Sequence, residues 1–117
     1  MRATELMIGD WVQINSQFAQ IYDIRHNVIG VQFPNEGYDV FEPKHIEPIP
    51  LTEELLTRNF PDPSEIVWFP LDEYNGFFNI YWEHPTFGEG EVRLNIQYVH
   101  QLQHVLRLCG IEKKVEL

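Results

Sequence analysis

His100 and His104 stand four residues apart in the run Tyr98-Val99-His100-Gln101-Leu102-Gln103-His104. On a helix this spacing brings two imidazoles to one side, about one turn apart. The zinc-binding helix of metalloproteases uses the same spacing, with a glutamate after the first histidine as general base. Here Gln101 holds that place, and an amide cannot take the proton. A third ligand would have to come from elsewhere, with His84 or Glu83 as the side chains that could approach. The pattern therefore fits a polar helix face better than a metal centre. No metal, cofactor or catalytic residue is assigned. Tyr98, His100, Gln101 and His104 stand as candidate binding residues for a partner.

Other reactive side chains lead no further. Cys109 falls at the C-terminal, negative end of the same helix, where a thiolate is disfavoured. It also lies on the apolar stripe, as a packed core cysteine does. Glu83, Glu89 and Glu91 gather with His84 around a loop holding Gly88 and Gly90. Acid–base work by paired carboxylates needs one of them in a dry pocket, and a glycine-rich loop is a solvated setting. Gly88-Glu89-Gly90 leads into a strand pattern and not a helix N-terminus, so it makes no phosphate cradle. There is no Walker-type lysine and no Gly-x-Ser-x-Gly. These readings lean away from an enzyme. The enzymatic alternative is a metal-dependent hydrolase built on His84, His100 and His104.

The elements that must carry these residues are legible from periodicity. Trp11–Ile14, Phe18–Arg25, Val28–Phe33 and Tyr38–Phe41 are predicted strands, with turns at Asn15-Ser16-Gln17, His26-Asn27 and Pro34-Asn35-Glu36-Gly37. Pro43–Ile46 fits one tight turn, and Glu47-Pro48-Ile49 a short edge strand, where a proline is tolerated. Short strands, short loops and a single turn predict a small SH3-like β-barrel over residues 1–50. Pro48-Ile49-Pro50 marks a boundary. Thr52 is placed to cap a short helix through Leu55 and Leu56, ended by Asn59-Phe60-Pro61-Asp62-Pro63, with Leu51 and Leu56 as a hydrophobic staple.

Residues 51–117 are predicted to form an α+β lobe that shares one core with the first. Ile66–Phe69 is an apolar run cut by Pro70. Phe77–Glu83 and Glu91–Ile96 make an antiparallel hairpin with Phe78, Ile80, Trp82, Val92, Leu94 and Ile96 on one face. An amphipathic helix follows. Tyr98, Val99, Leu102, Val105, Leu106 and Cys109 form its apolar stripe, while His100, Gln101, Gln103, His104 and Arg107 form its polar face. Gly110 fits the left-handed stop position. The alternating tail Ile111–Leu117 suggests a last strand, with Lys113-Lys114 at a sheet edge. The fold class is thus α+β: an N-terminal SH3-like barrel, then an antiparallel meander packed on a C-terminal helix.

The chain has 18 acidic and 8 basic residues, a formal charge of −10. That balance disfavours nucleic acid, which is bound through basic stripes. A nucleic-acid-associated factor using the barrel remains an alternative only if Arg2, Arg25, Lys44, Arg58, Arg93, Arg107, Lys113 and Lys114 form one surface. No apolar run reaches membrane-spanning length, the N-terminal segment is not of signal-peptide type, and the single cysteine suits a reducing, cytoplasmic setting. Aromatics are numerous, among them Trp11, Tyr22, Tyr38, Trp68, Tyr74, Tyr81 and Trp82. An exposed subset of them would favour a protein or peptide partner, and a homodimer is compatible with the same surplus.

Three blocks carry a resemblance: Ala3–Val12, Ile46–Leu56 and Tyr98–His104. In this order they resemble a family of small uncharacterised bacterial proteins, similar in length and often found in prophage or mobile-element regions. The resemblance implies a cytoplasmic accessory protein and supplies no catalytic residues. Together with the residues themselves it points to a non-enzymatic module that binds another protein or a second copy of itself.

Overall fold

The first four strands expected in the first fifty residues form, with bounds that differ by one residue at most. A computed structural model of the chain describes all residues except 35–36, 62–65, 72–75, 84–90, 109 and 112. The described residues form an α+β protein with two antiparallel sheets and two helices. Contacts divide it into two compact units, Met1–Ile49 and Pro50–Leu117.

In the first unit, strands β1 (Trp11–Ile14), β2 (Gln17–Ile24), β3 (Ile29–Phe33) and β4 (Gly37–Phe41) pair as a simple meander. β1 and β2 join through Asn15 and Ser16, whose φ values of 49° and 66° are those of a type I′ turn. One set of alternating side chains, Val12, Ile14, Ala19, Ile21, Ile29 and Val31, is buried together with Leu6 and Ile46. Pro43–His45 is a 3-10 turn, as the sequence predicts, and Glu47 then makes a single two-bond bridge to Gln13 on the far side of β1. The predicted edge strand is reduced to that bridge, and no barrel closure is present among the described residues.

Asp10 fixes the approach to β1. Its carboxylate accepts the Met7 N–H at 2.8 Å, and its own N–H donates to the Met7 carbonyl at 3.1 Å. Gly9 supplies the positive φ of 93° that this tight turn requires. Asp10 is fully buried, so the carboxylate acts as a structural acceptor where no water can reach.

In the second unit, α1 (Glu53–Asn59) is capped as predicted, with the Thr52 hydroxyl accepting the Leu55 N–H at 3.1 Å. Leu51 and Leu56, the staple pair, are both buried. Strands β5 (Val67–Pro70), β6 (Phe78–Glu83) and β7 (Glu91–Ile96) form the second sheet in that order. The register pairs Phe78 with Ile96, Ile80 with Leu94 and Trp82 with Val92, which is the predicted shared face. Pro70 sits at the end of an edge strand, where its missing N–H costs no ladder bond.

Helix α2 (Val99–Leu108) ends in a Schellman motif: Gly110 N–H donates to the Arg107 carbonyl and Ile111 N–H to that of Leu106, at 3.1 and 2.9 Å. Gly110 takes the left-handed φ of 70° that the stop position needs. The tail departs from expectation. Residues 113–117 form no strand. Their alternation is still used, with Val115 buried and Lys114 and Glu116 exposed, but the backbone of Glu116 pairs with the side-chain amide of Asn59 instead of a sheet.

Candidate functional site

Gln101 of the predicted partner-binding face is consumed by the helix itself. Its Oε1 accepts the N–H groups of Gln97 and Tyr98, at 2.8 and 3.0 Å. These donors precede the first turn of α2 and have no partner within the helix. A Gln at the third helical position reaching back in this way is the reciprocal half of a capping box. The same junction is fastened by a bridge between Pro50 and Tyr98 and by Leu51 N–H donating to the Gln97 carbonyl at 2.9 Å. Two of the three blocks noted in the sequence therefore meet at this point.

His100 corrects the sequence reading. The helical period places it on an outward polar face, yet it is buried, as is Gln103. The apolar stripe covers an arc of roughly 120° and the buried residues one of roughly 220° at 100° per residue. Gln103 borders the stripe, whereas His100 lies roughly 100° beyond its edge, so burial of His100 is set by what packs on that side of the helix and not by the stripe. His104, Gln101 and Tyr98 are half-buried, and only Arg107 and Leu108 on the helix are exposed. The Tyr98 ring stacks on His100, with centroids 5.8 Å apart and planes at 13°. His104 meets His100 edge to face at 5.6 Å and 76°. The three rings thus form one packed row that orders the first two turns of α2.

Among the described residues no three His, Cys, Asp or Glu side chains gather as metal ligands. His84, Glu89 and Cys109 lie outside the described residues. Of the cations required for a nucleic-acid surface, Arg25, Lys44 and Arg58 each pair with a nearby carboxylate, Asp23, Glu42 and Glu54, at 2.9, 3.4 and 2.7 Å.

The surface that stands out lies on the first sheet. The register places Gln13 opposite Phe18, Gln20 opposite Gln32, Gln32 opposite Tyr38 and Gly30 opposite Val40, on the face away from the buried set. Tyr22 follows on this face by the same period, and a β-bulge between Ile21 and Asp23 sets Asp23 beside it opposite Gly30. Tyr38, Val40, Phe18 and Tyr22 are 64%, 57%, 44% and 41% exposed, although they are large and apolar.

Gly30 is the seat of this cluster. A Cβ there would lie 2.7 Å from Tyr22 Cζ, so the absent side chain is what lets the ring lie across the strand. Tyr38 then packs edge-on against Tyr22 with centroids 4.8 Å apart. Between the aromatics stand Gln13, Gln20 and Gln32, which carry no charge. The sequence singles out Tyr22 and Tyr38 only within a general aromatic surplus, and it passes over Phe18 and Val40. The signal was available in the two-residue period, which puts all of them opposite the core. No family model, curated protein or solved structure matches this chain.

Proposed function

We propose that the chain is a non-enzymatic protein-binding module whose contact surface is the outer face of the first sheet. The observation that supports it is the exposed set Phe18, Tyr22, Tyr38 and Val40, held in place over Gly30. Exposed apolar side chains gathered on one face, with uncharged glutamines between them, mark protein interaction surfaces more than solvated ones. β4 is also the outer strand of its sheet, so an extended partner has main-chain groups to pair with there.

The first unit is read here as SH3-like. A four-stranded meander, a 3-10 turn and a return bridge onto β1 are the order of elements such a small barrel uses. The aromatic face could also stack bases. However, this unit carries seven acidic against three basic residues, and two of those three are paired with carboxylates. That balance favours protein over nucleic acid. A cytoplasmic accessory role, of mobile-element origin, follows from the resemblance of the three blocks and belongs to the same proposal.

The test compares wild type with Tyr38→Ser/Val40→Ser, two exposed changes that leave the buried set intact. Crosslinking and affinity capture from the native host, with sedimentation of the purified chain, read partner and self-association. Loss of a specific partner or of a dimer in the variant is expected. Identical captured proteins and identical sedimentation would overturn the assignment.

A further inference from the structure

Asn59 ends α1 and is buried, and its side-chain amide is fully used. Nδ2 donates to the Leu55 carbonyl and to the Glu116 carbonyl, both at 2.8 Å. Oδ1 accepts the Glu116 N–H at 2.7 Å. The amide therefore reads both main-chain groups of one residue, as a neighbouring strand would, and takes no account of that residue's side chain.

The flanking residues supply what the amide cannot read. Val115, one residue earlier, is 5% exposed. Lys113 holds its ammonium 4.7 Å from the centre of the Phe60 ring, a cation–π contact beside the same helix end. Lys114 and Glu116 point outward. The segment is thus gripped by its backbone at one point, by an aliphatic side chain next to it, and by a cation two residues before that.

We propose that the Asn59–Phe60 end of α1 is a peptide-binding groove with residues 113–117 as its resident ligand. In exchange for them it takes an extended segment of another protein carrying Lys or Arg two positions before an aliphatic residue. The resident segment displays the recognition pattern. The Phe60 ring face that receives the Lys113 ammonium supports a basic residue at that position of the ligand. The groove lies in the second unit, and the inference stands whether or not the aromatic sheet face of the first binds anything.

The experiment uses the full chain with Glu116→Pro. This change removes the N–H that Asn59 accepts and loosens the resident segment without altering the groove. The probe is a fluorescein-labelled peptide, Lys-Lys-Val-Glu-Leu, read by anisotropy. A tethered competitor acts at an effective concentration in the millimolar range. The variant is therefore expected to bind the peptide at least about tenfold more tightly than wild type. Peptides with Asp for Val, or Glu for the first Lys, should lose about tenfold or more, as apolar burial and the cation contact are removed.

A folded variant that binds no better than wild type, or that binds the Asp peptide equally well, overturns the groove. If Glu116→Pro does not fold, ¹⁵N-labelled wild type titrated with millimolar peptide decides. Movement of the Glu116 amide signal to its random-coil position supports exchange, and an unmoved signal refutes it. A wild-type dimer that the peptide dissolves would overturn the assignment to a separate partner and make a second copy the occupant.

Discussion

Gly30→Ala should destabilise the protein through a single identifiable ring. The new methyl carbon would stand 2.7 Å from Tyr22 Cζ and 2.9 Å from Cε1, about 1 Å inside normal carbon–carbon contact. Either the ring lifts or β3 bends. Overpacking of this kind costs about 1–3 kcal/mol, and lifting the ring also weakens its edge-to-face contact with Tyr38, worth about 0.5–1.5 kcal/mol. Against this, replacing glycine restricts the unfolded chain and returns about 0.4–1 kcal/mol. Tyr22 is 41% exposed and its ring can lift toward solvent, so the net expectation is a loss toward the low end of that sum, about 0.5–2 kcal/mol.

A double-mutant cycle isolates the ring. In a Tyr22→Ala background the clash with the ring is gone, and Gly30→Ala should become close to neutral. The remaining close neighbour, Asp23 Cβ at 3.1 Å, is present in both backgrounds and cancels from the cycle. Urea unfolding followed by tryptophan fluorescence, with equal m-values across the four proteins, gives the coupling energy. A coupling of about 0.5–2 kcal/mol is expected. If Gly30→Ala has the same effect with and without Tyr22, the ring is not seated on that glycine, and the surface built on it is wrong.

Three further changes probe the framework. Ser16→Gly should stabilise by about 0.5–1 kcal/mol, because left-handed φ costs a serine about 1–2 kcal/mol and a glycine nothing, less the entropy glycine adds to the unfolded chain; a thermal melt would show the rise. Gln101→Ala should cost about 1–2 kcal/mol by orphaning two N–H groups at the start of α2, whereas Gln101→Glu keeps the acceptor, adds a favourable charge at the positive helix end, and should be at least as stable at pH 7. Equal losses in both variants, measured by urea unfolding, would show that Gln101 does not cap. Asp10→Ala should cost about 1–3 kcal/mol by leaving the Met7 N–H without its acceptor, and Asp10→Asn, which keeps an oxygen there, should recover most of it in the same assay.

The sheets were legible because each needs only a two-residue period and a turn. Val12, Ile14, Ile21 and Val31 could be placed inside from alternation alone, and Gly110 could be placed as a stop from its type. Both helices were legible for a similar reason, since Thr52 and the apolar stripe of α2 act locally. The candidate site was less legible. His100 and Gln103 are polar by type, Gln103 bordering the stripe and His100 well beyond it, and only tertiary packing decides whether such positions are covered. Gln101 has the sequence signature of a surface residue, because capping by a side chain three positions later depends on where the preceding chain arrives. The tail has the alternation of a strand, but alternation records which side chains are buried and not which partner satisfies the backbone. Tyr22 and Tyr38 were visible, but their pairing depends on a bulge and on Gly30, which no single residue type announces.

The clamp between Asn59 and Glu116 also has a consequence in time. Its partners are 57 residues apart, while the hairpin at Asn15-Ser16 closes across three. On an unfolded chain the longer closure costs about 2–3 kcal/mol more in entropy. Nucleation therefore belongs to the local meanders and helices, and the segment after Gly110 docks once they have brought its seat together. A contact made after the rate-limiting barrier leaves the folding rate almost untouched and acts on unfolding. Asn59→Ala should then steepen loss of the native state by raising the unfolding limb of a chevron plot and leave its refolding limb where it was. In that sense the tail works as a latch on an already folded unit, governing how long the unit stays folded more than how quickly it forms.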